Sequence, residues 1–387
     1  MVRNFFLFIL VCVSFSLCAC STKKARQVQE VSLKELADCV FVLDDSTVAS
    51  MEYLQYFQRN DSAILAFTNR YDNSVVLYDY KSKKNVGRIH YEKEGGDGIG
   101  EVFSFCYVND DSIYHYHFNL RTLFRTNNEG KVLEKHLINT YSNASPDSLF
   151  IAPVLFPRTN SPLTVVGDKM LMAGFMMGEV EGENDENRPV MVYYDLKTGR
   201  LDYSDSYPSV YHKGHWGGGF IYRNPYFTIS PQNEIILSFA ADSNLRVHSM
   251  NEKGFREYYA GVGGDYVITP IEERASSKWI NKDECNRHYI DNLSYGPVFY
   301  DKYRCVYYRI ARLPDPSIDI HKTPIIKPIE IIVLDKSFEM IGKCRLKEDK
   351  YWINQCFVGE DGFHIQVESE DEDELRFKTF VFAIDEK

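Results

Sequence analysis

Past residue 20 the chain has no apolar run approaching the roughly 18 to 20 residues that span a bilayer, which excludes a transmembrane helix there. It has no Cys-x-x-Cys pair and no Cys/His cluster, so a structural zinc site has no ligand set to build on. The Gly-x-Ser-x-Gly elbow, the His-Glu-x-x-His helix and the phosphate loop are missing, and with them the commonest hydrolase and nucleotide-binding signatures. A basic excess is missing too. Against 55 Asp and Glu stand 44 Lys and Arg, a net charge of -11, whereas a nucleic-acid partner needs a basic face. Sustained 3.6-residue periodicity is nearly absent, which argues against a helical bundle.

What is there begins with Arg3, then an unbroken apolar stretch over residues 5–13, then small residues ending in Leu17, Cys18, Ala19 and Cys20. That order is an export signal rather than a spanning helix, and residues 1–19 are read as a signal peptide. Its end resembles the bacterial lipobox, in which a small residue precedes a Cys whose sulfur is diacylated before cleavage. Cys20 is then the lipidated first residue of the mature chain. Each buried methylene of an acyl chain contributes about 0.8 kcal/mol, so two or three chains on one residue make a lasting membrane anchor. Loss of Arg3 with the leader takes the formal charge from -11 to -12. Residues 20–30 are polar, without turn chemistry, and read as a tether. An acidic run after the Cys resembles a surface-export signal in lipoproteins of this kind. Here Lys23, Lys24 and Arg26 follow instead, which favours an outer-membrane position facing the periplasm.

Six cysteines remain once Cys12, Cys18 and Cys20 are set aside: Cys39, Cys106, Cys285, Cys305, Cys344 and Cys356. An even number in an exported chain permits disulfides without establishing them. Cys39, Cys106 and Cys305 sit in strand-like apolar runs, where a buried thiol is the other reading.

Texture does not change over residues 31–387, which points to one all-β unit. Within it a polar turn leading into an apolar strand recurs six times, at residues 61–67, 111–116, 167–173, 232–239, 300–308 and 361–367. A second element, a strand that ends in a turn and returns as a hairpin, alternates with the first at residues 75–80, 123–130, 190–199, 245–254, 329–335 and 378–385. Two hairpins per repeat and six repeats predict a six-bladed β-propeller of four-stranded antiparallel blades. The last run stops at the chain end, so its missing outer partner is expected to be the early strand over residues 39–44, which pairs the two termini and closes the ring. Irregular stretches at residues 179–187, 266–292 and 313–328, the last with four prolines, read as rim loops; a short helix is expected around Ser276 to Arg287.

Four segments carry candidate chemistry. Residues 94–100 are rich in glycine but lack the dinucleotide spacing and a following helix, so they read as a tight crossover between blades. Residues 212–223 hold His212, His215, Trp216, Tyr222 and Arg223 around three adjacent glycines. One reading is a ligand loop, with Trp216 as stacking platform and His212, His215 and Arg223 as polar or anion contacts; the other is an exposed loop with ordinary histidines. A metal would need a third ligand that the sequence does not point to, and no catalytic residue or cofactor is assigned. Arg287, His288 and Tyr289 form a second cluster, and Arg309 is placed in a strand from which it could reach the central channel; mutual satisfaction of Tyr and Arg is the alternative. The acidic residues 368–374 lack the glycine and ligand pattern of a calcium loop and read as a solvated hairpin end.

Taken together, Leu17 to Cys20, Leu43 to Thr47, the glycine turn from Glu94 to Gly100, Arg223, Asn224 and Pro225, and Tyr300 to Arg304 with Tyr307 to Ile310 resemble a family of Bacteroides-type lipoproteins grouped under a domain of unknown function. The resemblance covers nearly the whole mature chain. It implies a TolB-like six-bladed propeller and brings no established activity, so no site residue is carried over. The resulting expectation is a lipid-anchored envelope protein that binds a peptide, glycan or envelope protein through its rim loops. The alternative is a periplasmic hydrolase or lyase using the same loop with Arg287, His288 and Tyr289.

Overall fold

A strand that is apolar at every position must be covered on both faces, whereas one that alternates needs cover on one. Both kinds occur here, and their order fixes the architecture. The computed structural model describes residues 29–30, 33–138, 153–175, 188–216, 221–250, 254–272, 281–346 and 351–382. They form six sheets, each built on a four-stranded antiparallel core. The first blade runs Leu54–Arg59, Ser62–Asn69, Ser74–Asp79, Asn85–His90 from its inner to its outer edge. The fifth runs Ser294–Asp301, Val306–Arg312, Ile329–Asp335, Met340–Arg345, and the other blades repeat the plan.

The continuous apolar runs found by repetition are the second and third strands of the blades, covered on both faces. Val306–Arg312 is buried at all seven positions, whereas the outer strand Val132–Leu137 has no buried position. Six apolar clusters fill the six gaps between neighbouring blades, one per gap, including the gap between the last blade and the first. A ring in which each interface is filled has no free sheet face to expose.

Closure follows the expected route. Cys39–Val42 pairs antiparallel with the last strand, Glu374–Phe382, and Leu33–Glu35 continues the pairing at that strand's far end. Across this seam Tyr80, at the end of the first blade's third strand, donates its hydroxyl proton to Asp361 and lies 2.8 Å from His364 Nε2. His364 Nε2 is also 3.0 Å from Asp361, and its Nδ1 lies 3.0 Å from Thr379 Oγ1. The seam is thus tied by a network in which each side chain has a partner.

Four expectations shift. The tether ends early, because Gln29–Glu30 adds a parallel strand to the outer edge of the fifth blade. The helix lies over Lys282–Asp291, where Asn281 caps it by accepting from the Glu284 amide; residues 276–280 lie outside the described residues, as do Cys20, residues 179–187 and the three glycines from 217 to 219. Cys305 is exposed in a turn with a φ of 54°, not buried in a strand, and none of the six cysteines among the described residues is in a disulfide. Arg309 does not reach the channel. It sits on the second strand, and its guanidinium is buried between the fourth and fifth blades.

Candidate functional site: a basic cavity over the channel

Connections between blades, and the turns from second to third strands, emerge on one face of the ring. That face carries the long segments, including the described parts of residues 207–225 and 260–293, and residues 313–328. On the opposite face the turns are short.

One connector crosses the axis. Arg158 and Ser161 close a tight bridge, and the residues around it fasten to three blades. The Thr159 hydroxyl accepts from the Leu54 amide and donates to Gln355 Oε1, 2.7 Å away. Asn160 donates to Asn354, and Ser161 to the Pro225 carbonyl. The inner strand of the last blade, Tyr351–Gly359, shifts register between Trp352 and Cys356, and this bulge is what presents Asn354 and Gln355 to the connector. The connector therefore plugs the channel. Below it an axial cavity of about 530 Å³ is lined by Gln55, Tyr107, Thr228, Phe299 and other residues of the inner strands. Above it lies a smaller cavity of about 190 Å³.

The upper cavity differs from the rest of the protein in its charge. Arg158, Arg312 and Lys327 line it beside Tyr226 and Tyr289, and its lining contains no Asp or Glu. In a chain of net charge -11, that is a local reversal of sign. Arg312 ends the second strand of the fifth blade. Strand alternation sends Tyr307, Arg309 and Ala311 toward the fourth blade and Val306, Tyr308, Ile310 and Arg312 toward the sixth. Arg312 is buried, and among the described residues no carboxylate lies within ion-pair distance of it. Gly296 makes room: a Cβ there would stand 3.2 Å from Arg312 Nη1. Lys327 is supplied by the proline-containing connector, residues 313–328. Its ammonium donates to the Tyr289 and Asn292 carbonyls at the end of the helix and lies 4.4 Å from the Tyr289 ring centre. Burial, with Arg312 adding to it, pulls that ammonium down to about 6, while Asp291 and Asp315 act the other way. Burial also pulls the Arg158 guanidinium below its ordinary range.

A second cavity of about 730 Å³ adjoins the first and shares Pro324, Ile326, Lys327, Ile329, Tyr351 and Trp352 with it. The wider space is bordered by Asp315, Lys322, Arg345 and Glu368. Trp352 stands where the two meet, and it is 39% exposed.

Sequence reasoning singled out two clusters, and the fold brings them together. Trp216 lies 5.1 Å from Tyr211, 5.6 Å from Tyr222 and 6.0 Å from His288 by ring centres, and Tyr222 lies 4.8 Å from His288. The contact is closed, however. Trp216, Tyr222 and Arg223 are fully buried, so Trp216 offers no open face for stacking and acts as packing. Tyr222 donates to the Leu293 carbonyl, His288 Nε2 lies 2.6 Å from the Thr269 carbonyl, and Arg223 stacks 4.9 Å over Tyr207. His215 exchanges backbone hydrogen bonds with Ile271, and His212 ends the short 3-10 turn Ser209–His212. Arg287 points outward toward Asp291, 3.7 Å away. Of the eight candidates, Tyr289 lines the basic cavity. Arg158, Arg312, Lys327, Tyr226 and Trp352 were missed. Only Trp352 left a signal, as one of three tryptophans and the one in a run with alternating burial.

Comparison with known proteins agrees with this architecture. A crystal structure of a family member from Bacteroides vulgatus superposes with a TM-score of 0.77 at 22% identity, covering 92% of this chain and 99% of that one. A Bacteroides fragilis protein described as a candidate for export gives 0.58 at 11% identity, covering 92% and 98%. Both likenesses are of fold. No curated protein matches the sequence. Residues 31–343 match the family described as "Domain of unknown function (DUF4221)", and the chain, whose described residues form a six-bladed propeller, belongs to that family.

Proposed function

We propose that this chain is a lipid-anchored binding propeller of the cell envelope that takes the anionic part of its ligand into the cavity above the channel plug. The observation that carries this reading is the lining of that cavity, with two guanidinium groups, a lysine amine and no carboxylate. Burying positive charge in a lining that supplies no carboxylate is costly, and an anion that enters the cavity offsets the cost. Two arginines suit the purpose, because the planar guanidinium grips carboxylate, sulfate or phosphate with two parallel hydrogen bonds. The leader-like N-terminus ending in Cys20 supports the anchoring half of the reading.

Two experiments test the halves separately. Calorimetric titration of the mature chain with inorganic phosphate should show saturable binding that Arg312→Met removes; no binding, or binding indifferent to that change, refutes the site. Cys20→Ser should move the full chain from the membrane to the soluble fraction, and an unchanged distribution refutes the anchor.

A second reading, a hydrolase or lyase, is favoured by Lys327, since an amine held near 6 is basic and unprotonated at neutral pH, as a catalytic amine must be. The triplet Arg287, His288 and Tyr289 supports it less, because His288 is packed and Arg287 faces outward. Product formation from a bound ligand, lost on Lys327→Gln with binding retained, would select this reading.

A further inference from the structure

We infer that the anion is carried on a sugar, so that the ligand is an acidic saccharide whose carboxylate or sulfate enters the basic cavity while its ring lies over Trp352. This rests on the anion-site reading above and adds the chemistry of the rest of the ligand. The argument is one of size, surface and polarity.

The basic cavity, at about 190 Å³, is too small for most ligands, whose sites span roughly 300 to 1,000 Å³; it admits a charged group and little more. The remainder of the molecule must lie in the adjoining space of about 730 Å³, which shares six residues with the first. Trp352 belongs to both linings, and among the described residues it is the exposed aromatic side chain at their junction. A pyranose presents a row of C–H groups on one face, and these pack on an indole as apolar surface while the hydroxyls point outward. Outward here means toward Asp315, Lys322, Arg345 and Glu368. That set mixes both signs, as hydroxyls require, since each donates to a carboxylate and accepts from an ammonium or guanidinium. An acidic peptide such as a run of glutamates fits less well, because it brings no ring face of C–H groups to lie on Trp352.

The test is a titration of the mature chain with trigalacturonate, its fully methyl-esterified form, a sulfated disaccharide, hexaglutamate and inorganic phosphate. Trigalacturonate or the sulfated disaccharide should bind, with methyl esterification weakening the former by about tenfold or more. Trp352→Ala should weaken saccharide binding by about tenfold and phosphate binding by clearly less, and Trp352→Phe should stay within about threefold of the wild type. Because Trp352 is at the surface, both variants should keep the wild-type thermal midpoint, which separates lost binding from lost folding. Three results overturn the saccharide inference and leave the anion site standing: phosphate binds but neither acidic saccharide does, hexaglutamate binds as tightly as trigalacturonate, or Trp352→Ala has no effect. A methyl ester that binds as well as the acid, with Arg312→Met also without effect, overturns the anion site itself.

Discussion

Arg309 and Arg312 lie three residues apart on one strand, and the fold treats them in opposite ways. Arg309 faces the fourth blade, where it donates to the Ser243, Asp242 and Ala260 carbonyls at 2.7, 2.7 and 3.0 Å and to Ser238 Oγ at 3.0 Å, with the Tyr295 ring 4.2 Å away. Burial pulls its guanidinium down to about 10, still charged at neutral pH. Arg312 faces the sixth blade and has no such set of carbonyl acceptors; its hydrogen-bond partner is Tyr226, and Tyr289, the Arg158 guanidinium and the Lys327 amine share its cavity. An arginine saturated by carbonyls holds blades together. On the reading proposed above, one left in a cavity without a carboxylate is kept for an anion that arrives. On that reading a structural and a binding charge differ in where their donors end, not in how deeply they are buried.

Breaking the saturated side of the comparison should have the largest effect. Arg309→Met strands several buried carbonyls at the interface of the fourth and fifth blades and should lower stability by about 4 kcal/mol or more. Chemical denaturation would show this as a fall in midpoint; a change below about 1 kcal/mol would mean that the brace is dispensable. The seam gives a smaller case of the same kind. Tyr80→Phe removes one hydroxyl from the Asp361 and His364 network and should cost about 2 kcal/mol in the same measurement.

Acid should act through a buried imidazole elsewhere. His115, fully buried against Tyr91 in the second blade, is held down to about 3 by burial. Its folded value lies below the unfolded value of 6.5, so the unfolded chain binds the proton more readily. Its contribution is complete above 6.5 and falls by about 1.4 kcal/mol per pH unit as pH drops from there toward 3. Replacement by Phe should flatten stability over that window, and an unchanged slope would clear His115 of the effect. Ligand binding should respond to pH as well. With Arg312, Asp291, Asp315 and Tyr289 around it, Lys327 starts near 6, and a bound anion pushes it upward. Binding then takes up a proton above pH 6, so trigalacturonate affinity should fall as pH rises, by at most about tenfold per unit. A flat profile between pH 5.5 and 8 would remove Lys327 from the contact.

Much of this ring could be read from the chain. The second and third strands announce themselves as doubly covered apolar runs such as residues 329–335, and the unmatched last run told where the termini meet. The inner strands were harder. Leu54–Arg59 reaches the channel with Gln55 and carries an exposed Gln58, and so lacks a strong apolar pattern. The cavity was largely hidden for a different reason: Arg158, Arg312 and Lys327 come from three separate segments, and each alone resembles an ordinary surface charge. What unites them is the axial plug and the bulge at residues 353–355, both consequences of tertiary packing. The loop over residues 212–223 was conspicuous in composition because it builds a dense buried aromatic cluster, and composition does not distinguish an aromatic cluster that packs from one that binds.

The smallest predicted effect tests the central claim most directly. Scanning calorimetry of the mature wild type and of Arg312→Met, each with and without trigalacturonate, measures the cost and the use of the same charge. The account predicts that the variant is more stable than the wild type without ligand, by about 1 kcal/mol, and gains nothing when ligand is added. A variant less stable by an amount comparable to Arg309→Met, or one that the ligand still stabilises, would show that Arg312 is another structural brace and that the cavity above the plug is not the binding site.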